Sequence, residues 1–162
     1  MMPKVTVSGF EQYLKKLDNL EKSGERFLKA AVYEGAKITT DAVRTSITAL
    51  PIDQKRGFPH NPRHGVTWKE KAGLLNGLGV SSIENEKGYI NAKIGFNGYN
   101  DDKTKKWPKG KPIVMIARAL ESGTSFSLRT PFVGPAVRRV SSSAKKAMIE
   151  KFENEVDKII KE

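Results

Sequence analysis

Residues 78–96 read Leu78-Gly79-Val80-Ser81-Ser82-Ile83-Glu84-Asn85-Glu86-Lys87-Gly88-Tyr89-Ile90-Asn91-Ala92-Lys93-Ile94-Gly95-Phe96. In the second half Ile90, Ala92, Ile94 and Phe96 alternate with Asn91, Lys93 and Gly95. That is the period-two pattern of a strand with one buried face. Leu78–Ile83 is a shorter run of the same kind. Between them Asn85-Glu86-Lys87-Gly88 offers turn residues, with Gly where a positive φ is needed. The stretch predicts an antiparallel hairpin of Leu78–Ile83 and Tyr89–Phe96.

On either side the period changes to that of helices. Phe10, Leu14, Leu17 and Leu20 recur at helical spacing behind Ser8, a suitable N-cap, and predict a short helix over 10–20. Ser23-Gly24 reads as a turn. Residues 25–49 then read as a long helix. Its stripe of mostly small residues runs through Leu28, Val32, Gly35, Thr39, Ala42 and Ser46, widened by Phe27, Ala31 and Ile38. Small residues there let another element approach closely. Pro51 ends it, because the residue before a proline avoids the α region. Downstream, residues 113–121 form a short apolar run. It suits a helix with Pro112 in its first turn and Gly123 just past its end, or a buried strand. Pro135–Ile160 predicts a second long helix. Its apolar face holds Ala136, Val137, Val140, Ala144, Ala147, Met148, Phe152, Val156, Ile159 and Ile160. Helices around a small antiparallel sheet make an α+β fold, one domain over 1–162.

Two stretches fit neither period. Residues 51–73 carry Pro51, Gly57, Pro59, Pro62 and Gly65, and residues 97–112 are polar, basic and bear Gly and Pro. Both predict extended loops, and the first is longer than ordinary structureless connections. The chain has 162 residues, 29 Lys+Arg against 18 Asp+Glu, and a net charge of +11. Residues 1–51 hold 8 basic and 6 acidic groups and residues 141–162 hold 5 of each, so the surplus lies between them. Residues 101–112 alone hold 5 and 2. The charge points to a polyanionic neighbour, which is a statement about association rather than fold. There is no cysteine, which excludes disulfides, thiolate metal sites and a cysteine nucleophile. No apolar run approaches a membrane span, and the N-terminus shows no secretory h-region.

No constellation for catalysis stands out, and nothing calls for a cofactor. His60 and His64 are the only histidines, spaced i and i+4. Pro59 and Pro62 argue against the helix that would aim both at one metal. Gly-x-Ser-x-Gly is absent, and Gly73–Gly79 lacks the Lys-Ser/Thr of a phosphate loop. Glu34 and Asp41 sit among Lys37 and Arg44, as on a solvated helix face. The expectation is a protein that is not an enzyme. Lys103, Lys105, Lys106, Lys109 and Lys111, with Trp107 and Tyr99 nearby, form the best candidate for contact with DNA or with an acidic neighbour. Lysines neutralise phosphates and aromatics stack on bases.

The most information-rich stretch is Glu121-Ser122-Gly123-Thr124 followed by Arg129-Thr130-Pro131-Phe132-Val133-Gly134-Pro135-Ala136. Pro131 stiffens a tight loop, Phe132 can plug the core, and Pro135 suits the first turn of the last helix. The stretch resembles the tail-component family of long-tailed phages and prophages, the neck and tail-completion proteins that join head to tail. The residues that carry the likeness are Glu121, Gly123, Thr124, Arg129, Pro131, Phe132, Pro135 and Ala136. Gly9, Phe10, Leu14, Leu17 and Leu20 match its N-terminal start. Gly35, Ala36, Arg44 and Pro51 match its long helix, and Ala72-Gly73-Leu74, Ser81-Ser82-Ile83 and Ile94-Gly95 its middle elements. The resemblance implies a non-enzymatic virion protein, assembled in the host bacterial cytoplasm. It would form a homo-oligomeric ring between the portal-side connector and the tail tube, with connector and tail proteins as partners. Passing DNA would touch it non-specifically, through a lumen that is basic or mixed in charge.

Overall fold

In the computed structural model, which describes residues 10–161, the hairpin forms with a bulge at its waist. Strand β1 (Leu78–Val80) pairs antiparallel with β4 (Ile94–Phe96), and β2 (Glu84–Glu86) with β3 (Tyr89–Asn91). Leu78 faces Phe96 and Val80 faces Ile94, whereas Glu84 faces Asn91 and Glu86 faces Tyr89. Three residues, Ser81–Ile83, therefore oppose two, Ala92 and Lys93. The extra residue is a bulge, which resets the in–out alternation and twists the ribbon. Ser81 repairs the gap. Its N–H donates to Lys93 O (2.7 Å), and its Oγ accepts the Lys93 N–H (2.9 Å). The expected strand Leu78–Ile83 is thus a strand only over Leu78–Val80, β2 takes in Asn85 and Glu86 of the expected turn, and the expected strand Tyr89–Phe96 is cut into β3 and β4. The tip is a tight turn with Lys87 at φ 54° and Gly88 at φ 87°, and Asn85 Oδ1 accepts the Gly88 N–H at 2.9 Å.

Around this ribbon stand four helices: α1 (Phe10–Thr48), α2 (Trp68–Gly77), α3 (Ile113–Ser122) and α4 (Val133–Lys161). The fold is α+β, and its long helices α1 and α4 pack antiparallel on each other. The break expected at Ser23-Gly24 is absent, and one helix runs the whole way. A Cβ on Gly24 would meet nothing within 4 Å, so the glycine is no steric hinge. Its helix-interior cost is about 1 kcal/mol. That is small beside the packing with α4, whose end reaches Lys16: the Lys16 Nζ donates to Ile160 O at 2.7 Å. Ser8 and Gly9 lie outside the described residues.

The loop expected over 51–73 ends early, because α2 occupies Trp68–Gly77. Thr67 Oγ1 accepts the Glu70 N–H (3.1 Å), and the Glu70 carboxylate accepts the Thr67 N–H (3.1 Å). This capping box starts the helix. The apolar run after Pro112 is a helix rather than a strand. Gly123 follows it at φ 76°, its N–H donating to Ala119 O at 2.8 Å. The last helix begins at Val133, two residues before the expected Pro135, which keeps its place in the first turn.

The core gathers at one end of the molecule. It joins Ala42, Val43, Ile47 and Leu50 from the end of α1 with Leu74, Leu78, Ile113, Ile116 and Leu120. Phe132 and Ala136 enter from the start of α4, and Ile94 and Phe96 of β4 pack against the set. Full burial of a side chain such as Ile47 or Leu74 contributes about 1.5–3 kcal/mol. Small residues then allow α4 to follow α1 away from the core. A Cβ on Gly35 would lie 2.5 Å from Met148 Sδ, so the Met148 side chain packs into the space the glycine leaves, while Ala144 O would be at an ordinary 3.7 Å. Ala31, Ala36 and Ala144 are buried alongside. Past these residues the helices continue as a two-helix stalk, with β3 lying against α1. The apolar stripes expected to be covered are covered only in part. Leu14, Leu17 and Leu28 of α1, and Val137 and Ile160 of α4, remain exposed. Each helix carries an apolar face wider than one partner helix can hide.

Candidate assembly surface

The motif residues near 121–136 meet in one joint. Three consecutive N–H groups at the start of α4 have no partner within the helix, as at any helix N-terminus. The Glu121 carboxylate reaches across from the last turn of α3 to accept all three. Oε2 takes Phe132 N–H (2.9 Å) and Val133 N–H (3.1 Å), and Oε1 takes Gly134 N–H (2.9 Å). Burial works against ionisation of Glu121. The three N–H donors and the Arg129 guanidinium outweigh it and hold the carboxyl below its ordinary range. The positive end of the α4 dipole favours the same charge. A Cβ on Gly134 would stand 2.9 Å from Glu121 Oε1, so glycine keeps that approach open.

The neighbouring motif residues hold the turn between the helices. Thr124 Oγ1 accepts the Phe126 N–H (3.2 Å) and the Ser127 N–H (3.1 Å). Arg129 Nε donates to Glu121 O at 3.1 Å, and Thr130 N–H to Leu120 O at 2.8 Å. Phe132 is buried edge-on against Phe96, ring centres 5.9 Å apart, as expected of a core plug. Pro131 is exposed and Pro135 lies in the first turn of α4. Glu121, Gly123, Thr124, Arg129, Pro131, Phe132 and Pro135 thus build one α3–α4 joint, and their observed work is architectural.

The 49–67 connection is a folded strap against that joint. Val66 N–H donates to Pro51 O and Asp53 N–H to Val66 O, both at 2.9 Å. Arg63 N–H donates to Phe126 O (2.9 Å) and Leu128 N–H to Arg63 O (2.7 Å), which ties strap to turn. The Arg63 guanidinium meets the buried Glu70 carboxylate at 2.6 Å. Phe58, Phe126 and Leu128 stay exposed on these loops. His60 stacks on Phe58 at 5.9 Å, and the His64 N–H donates to Asp53 Oδ2 at 3.1 Å. Among the described residues no group of three His, Asp or Glu stands together to hold a metal, and no helix is long and apolar enough to cross a membrane.

The 97–112 connection is compact. Buried Asn100 anchors it: its Oδ1 accepts the Lys111 N–H (2.8 Å) and the Asp102 N–H (3.3 Å). Asn100 N–H in turn donates to Lys111 O at 2.9 Å, which brings the two ends together. Lys103, Lys105, Lys106 and Lys109 project into solvent, while Lys111 is half-buried. The Lys106 ammonium sits 5.9 Å from the Trp107 ring. Sequence reasoning did not foresee that Asp102 pairs with Lys69 (3.0 Å), which sets the first turn of α2 and the exposed Trp68 beside this loop. Compared with protein-family models, curated proteins and solved structures, the chain matches none of them.

Proposed function

We propose that this chain is a structural virion protein of the head–tail junction or tail end of a long-tailed phage or prophage. In this reading it assembles as a ring connecting the portal-side connector to the tail tube and performs no catalysis. The observation that carries the reading is the ordered likeness to the family across Glu121–Ala136. Those residues also share one physical task, since Glu121 holds the entry to the last helix. The shape is compatible with assembly: the α1–α4 stalk leaves the small core, and the two pinned connections carry exposed side chains such as Phe58 and Lys105 that offer surfaces to neighbours. A ring closes through head-to-tail contacts repeated by rotation. The test is electron microscopy of particles produced without this gene. The expected result is heads and tails that fail to join or that lose DNA. Normal, infectious, DNA-filled particles would overturn the proposal.

A second reading, a basic nucleic-acid-binding module, is favoured by the Asn100-anchored loop with its projecting lysines beside Lys69 and Trp68. It predicts DNA affinity that falls steeply with salt and that collapses when Lys103, Lys105, Lys106, Lys109 and Lys111 are neutralised. No binding by the wild type at low salt would remove it.

A further inference from the structure

On the stalk, Lys22, Lys29, Lys151, Lys158 and Lys161 each meet a carboxylate three or four residues away. In the 97–112 connection, Lys103, Lys105, Lys106, Lys109 and Lys111 meet none among the described residues. Their frame is nevertheless fixed. Trp107 N–H donates to Thr104 O (3.0 Å) and Thr104 N–H to Trp107 O (3.1 Å), which closes a tight turn with Lys105 and Lys106 at its tip. Gly110 N–H donates to Trp107 O (3.0 Å) and closes a second turn over Pro108 and Lys109. Gly110 has φ 97°, and a Cβ there would collide with Asn100 O. Holding unpaired like charges together works against the compact state, so the loop lacks an opposite charge from outside. Side chains on a fixed frame also lose less freedom on binding than those of a mobile arm.

Aromatic rings flank these lysines. Trp68 is 66% exposed and Tyr99 57% exposed. The Lys69–Asp102 pair (3.0 Å) joins α2 to the loop, with Trp68 one residue away on one side and Lys103 one residue away on the other. Tyr99 bridges to Pro112 across the mouth of the loop. Its neighbour Asn100 turns its side chain inward, against Gly73, and successive side chains of extended backbone alternate, so the Tyr99 ring turns outward. An acidic protein surface would answer the lysines and leave the rings idle. A DNA duplex would do the same, because its base faces are hidden in the stack. A single strand presents both phosphates and bare base faces, which is what lysines beside exposed rings bind.

We infer that the 97–112 loop and the first turn of α2 form a site for single-stranded nucleic acid, in which Lys103, Lys105, Lys106 and Lys109 take phosphates while Trp68 and Tyr99 stack on bases. The inference rests on the nucleic-acid reading above and names its ligand class; it does not depend on the ring.

Fluorescence anisotropy of the full-length chain at low salt tests it, with labelled oligomers of about 12 nucleotides: a thymidine strand, a uridine strand and a blunt duplex. Single strands should bind about tenfold or more tighter than the duplex, and the tighter of the two strands identifies DNA or RNA as the ligand. Trp68→Ala and Tyr99→Ala should each weaken strand binding about fivefold to a hundredfold, the loss of one stacked base, and leave duplex binding unchanged. Both positions are exposed, so helical circular dichroism should match the wild type. Lys105→Gln with Lys106→Gln should weaken strand and duplex alike, and should reduce the slope of log affinity against log salt for the strand by about 1.4. A duplex bound as tightly as the strands overturns the inference and leaves the nucleic-acid reading standing. No binding of any oligomer overturns both. Strand affinity unchanged in the two aromatic variants overturns the inference, as does binding of polyglutamate or anionic vesicles as tight as that of the strands.

Discussion

Glu121 holds the start of α4 from outside that helix, and its removal has a calculable cost. In Glu121→Ala the N–H groups of Phe132, Val133 and Gly134 lose their acceptor. An ordinary N-cap removal costs about 0.5–2 kcal/mol for one or two such bonds, and a hydrogen bond to a charged group contributes about 1.5–3 kcal/mol. The joint is only half-buried, so water replaces part of the loss, and about 3 kcal/mol is the expected total. For a chain of this size that lowers the melting temperature by roughly 6–12 °C. Glu121→Gln keeps one acceptor oxygen and loses the charge that favours the helix dipole, so about 1–2 kcal/mol is expected. The pH dependence has a definite sign. The folded carboxyl is held below its ordinary value. The stabilisation is therefore complete above the unfolded value of about pH 4.3 and is lost as pH falls through the lower folded value. Urea unfolding followed at 222 nm, at neutral pH and then below pH 4.3, measures both effects. The gap between wild type and Glu121→Gln should shrink with acidification. A gap under about 0.3 kcal/mol at neutral pH, or one that grows with acid, refutes the account of the cap.

Gly134→Ala should cost about 1 kcal/mol or more by pushing against Glu121 Oε1, and should cost much less in the Glu121→Ala background; a double-mutant cycle in urea reads that coupling. Gly24→Ala should stabilise the chain by roughly 0.5–1 kcal/mol, because the site is mid-helix with open space around the added methyl; a fall in melting temperature would mean that α1 does break there. Arg63→Ala should destabilise by about 2–3 kcal/mol, since it strands the buried Glu70 carboxylate, and Arg63→Met with Glu70→Gln should recover most of that loss; thermal melts of the three variants decide it.

Local patterns in the chain made most of these elements legible. The spacing after Pro135 pointed to the last helix and Lys87-Gly88 to the hairpin tip, whereas Asn85 and Glu86 of the expected turn belong to β2 and the alternation Ile90–Phe96 spans two strands, β3 and β4. What was not legible came from contacts distant in sequence. Gly24 reads as a break until α4 is laid beside it, because a glycine's cost is local and the packing that overrides it is not. The bulge at Ser81–Ile83 depends on the pairing of both strands, and no single-strand pattern records it. Helix α2 was legible: Thr67-x-x-Glu70 is a capping-box signature, masked by the prolines and glycines just before it. At the α3–α4 joint the residues were singled out as a set, yet the bond that unites them, from Glu121 to three N–H groups more than ten residues later, needed the fold. Trp68 and Lys69 were missed beside the lysine loop for the same reason, since only the Lys69–Asp102 pair brings them there.

The antiparallel stalk also has a consequence for synthesis. Helix α1 is made early, and the helix that covers it begins only at Val133. At typical elongation rates of about 5–20 residues per second, several seconds separate the completion of α1 from the arrival of α4. During that interval Phe27 and Ala31, buried in the finished fold, have no long-helix partner, and Gly35 has no Met148 to receive. The hairpin and α3 can collapse locally in the meantime, but closing the stalk joins residues as far apart as Lys16 and Ile160. The nascent chain therefore passes through a stage in which a long amphipathic helix waits uncovered, and chaperone binding or premature self-contact would act at that stage.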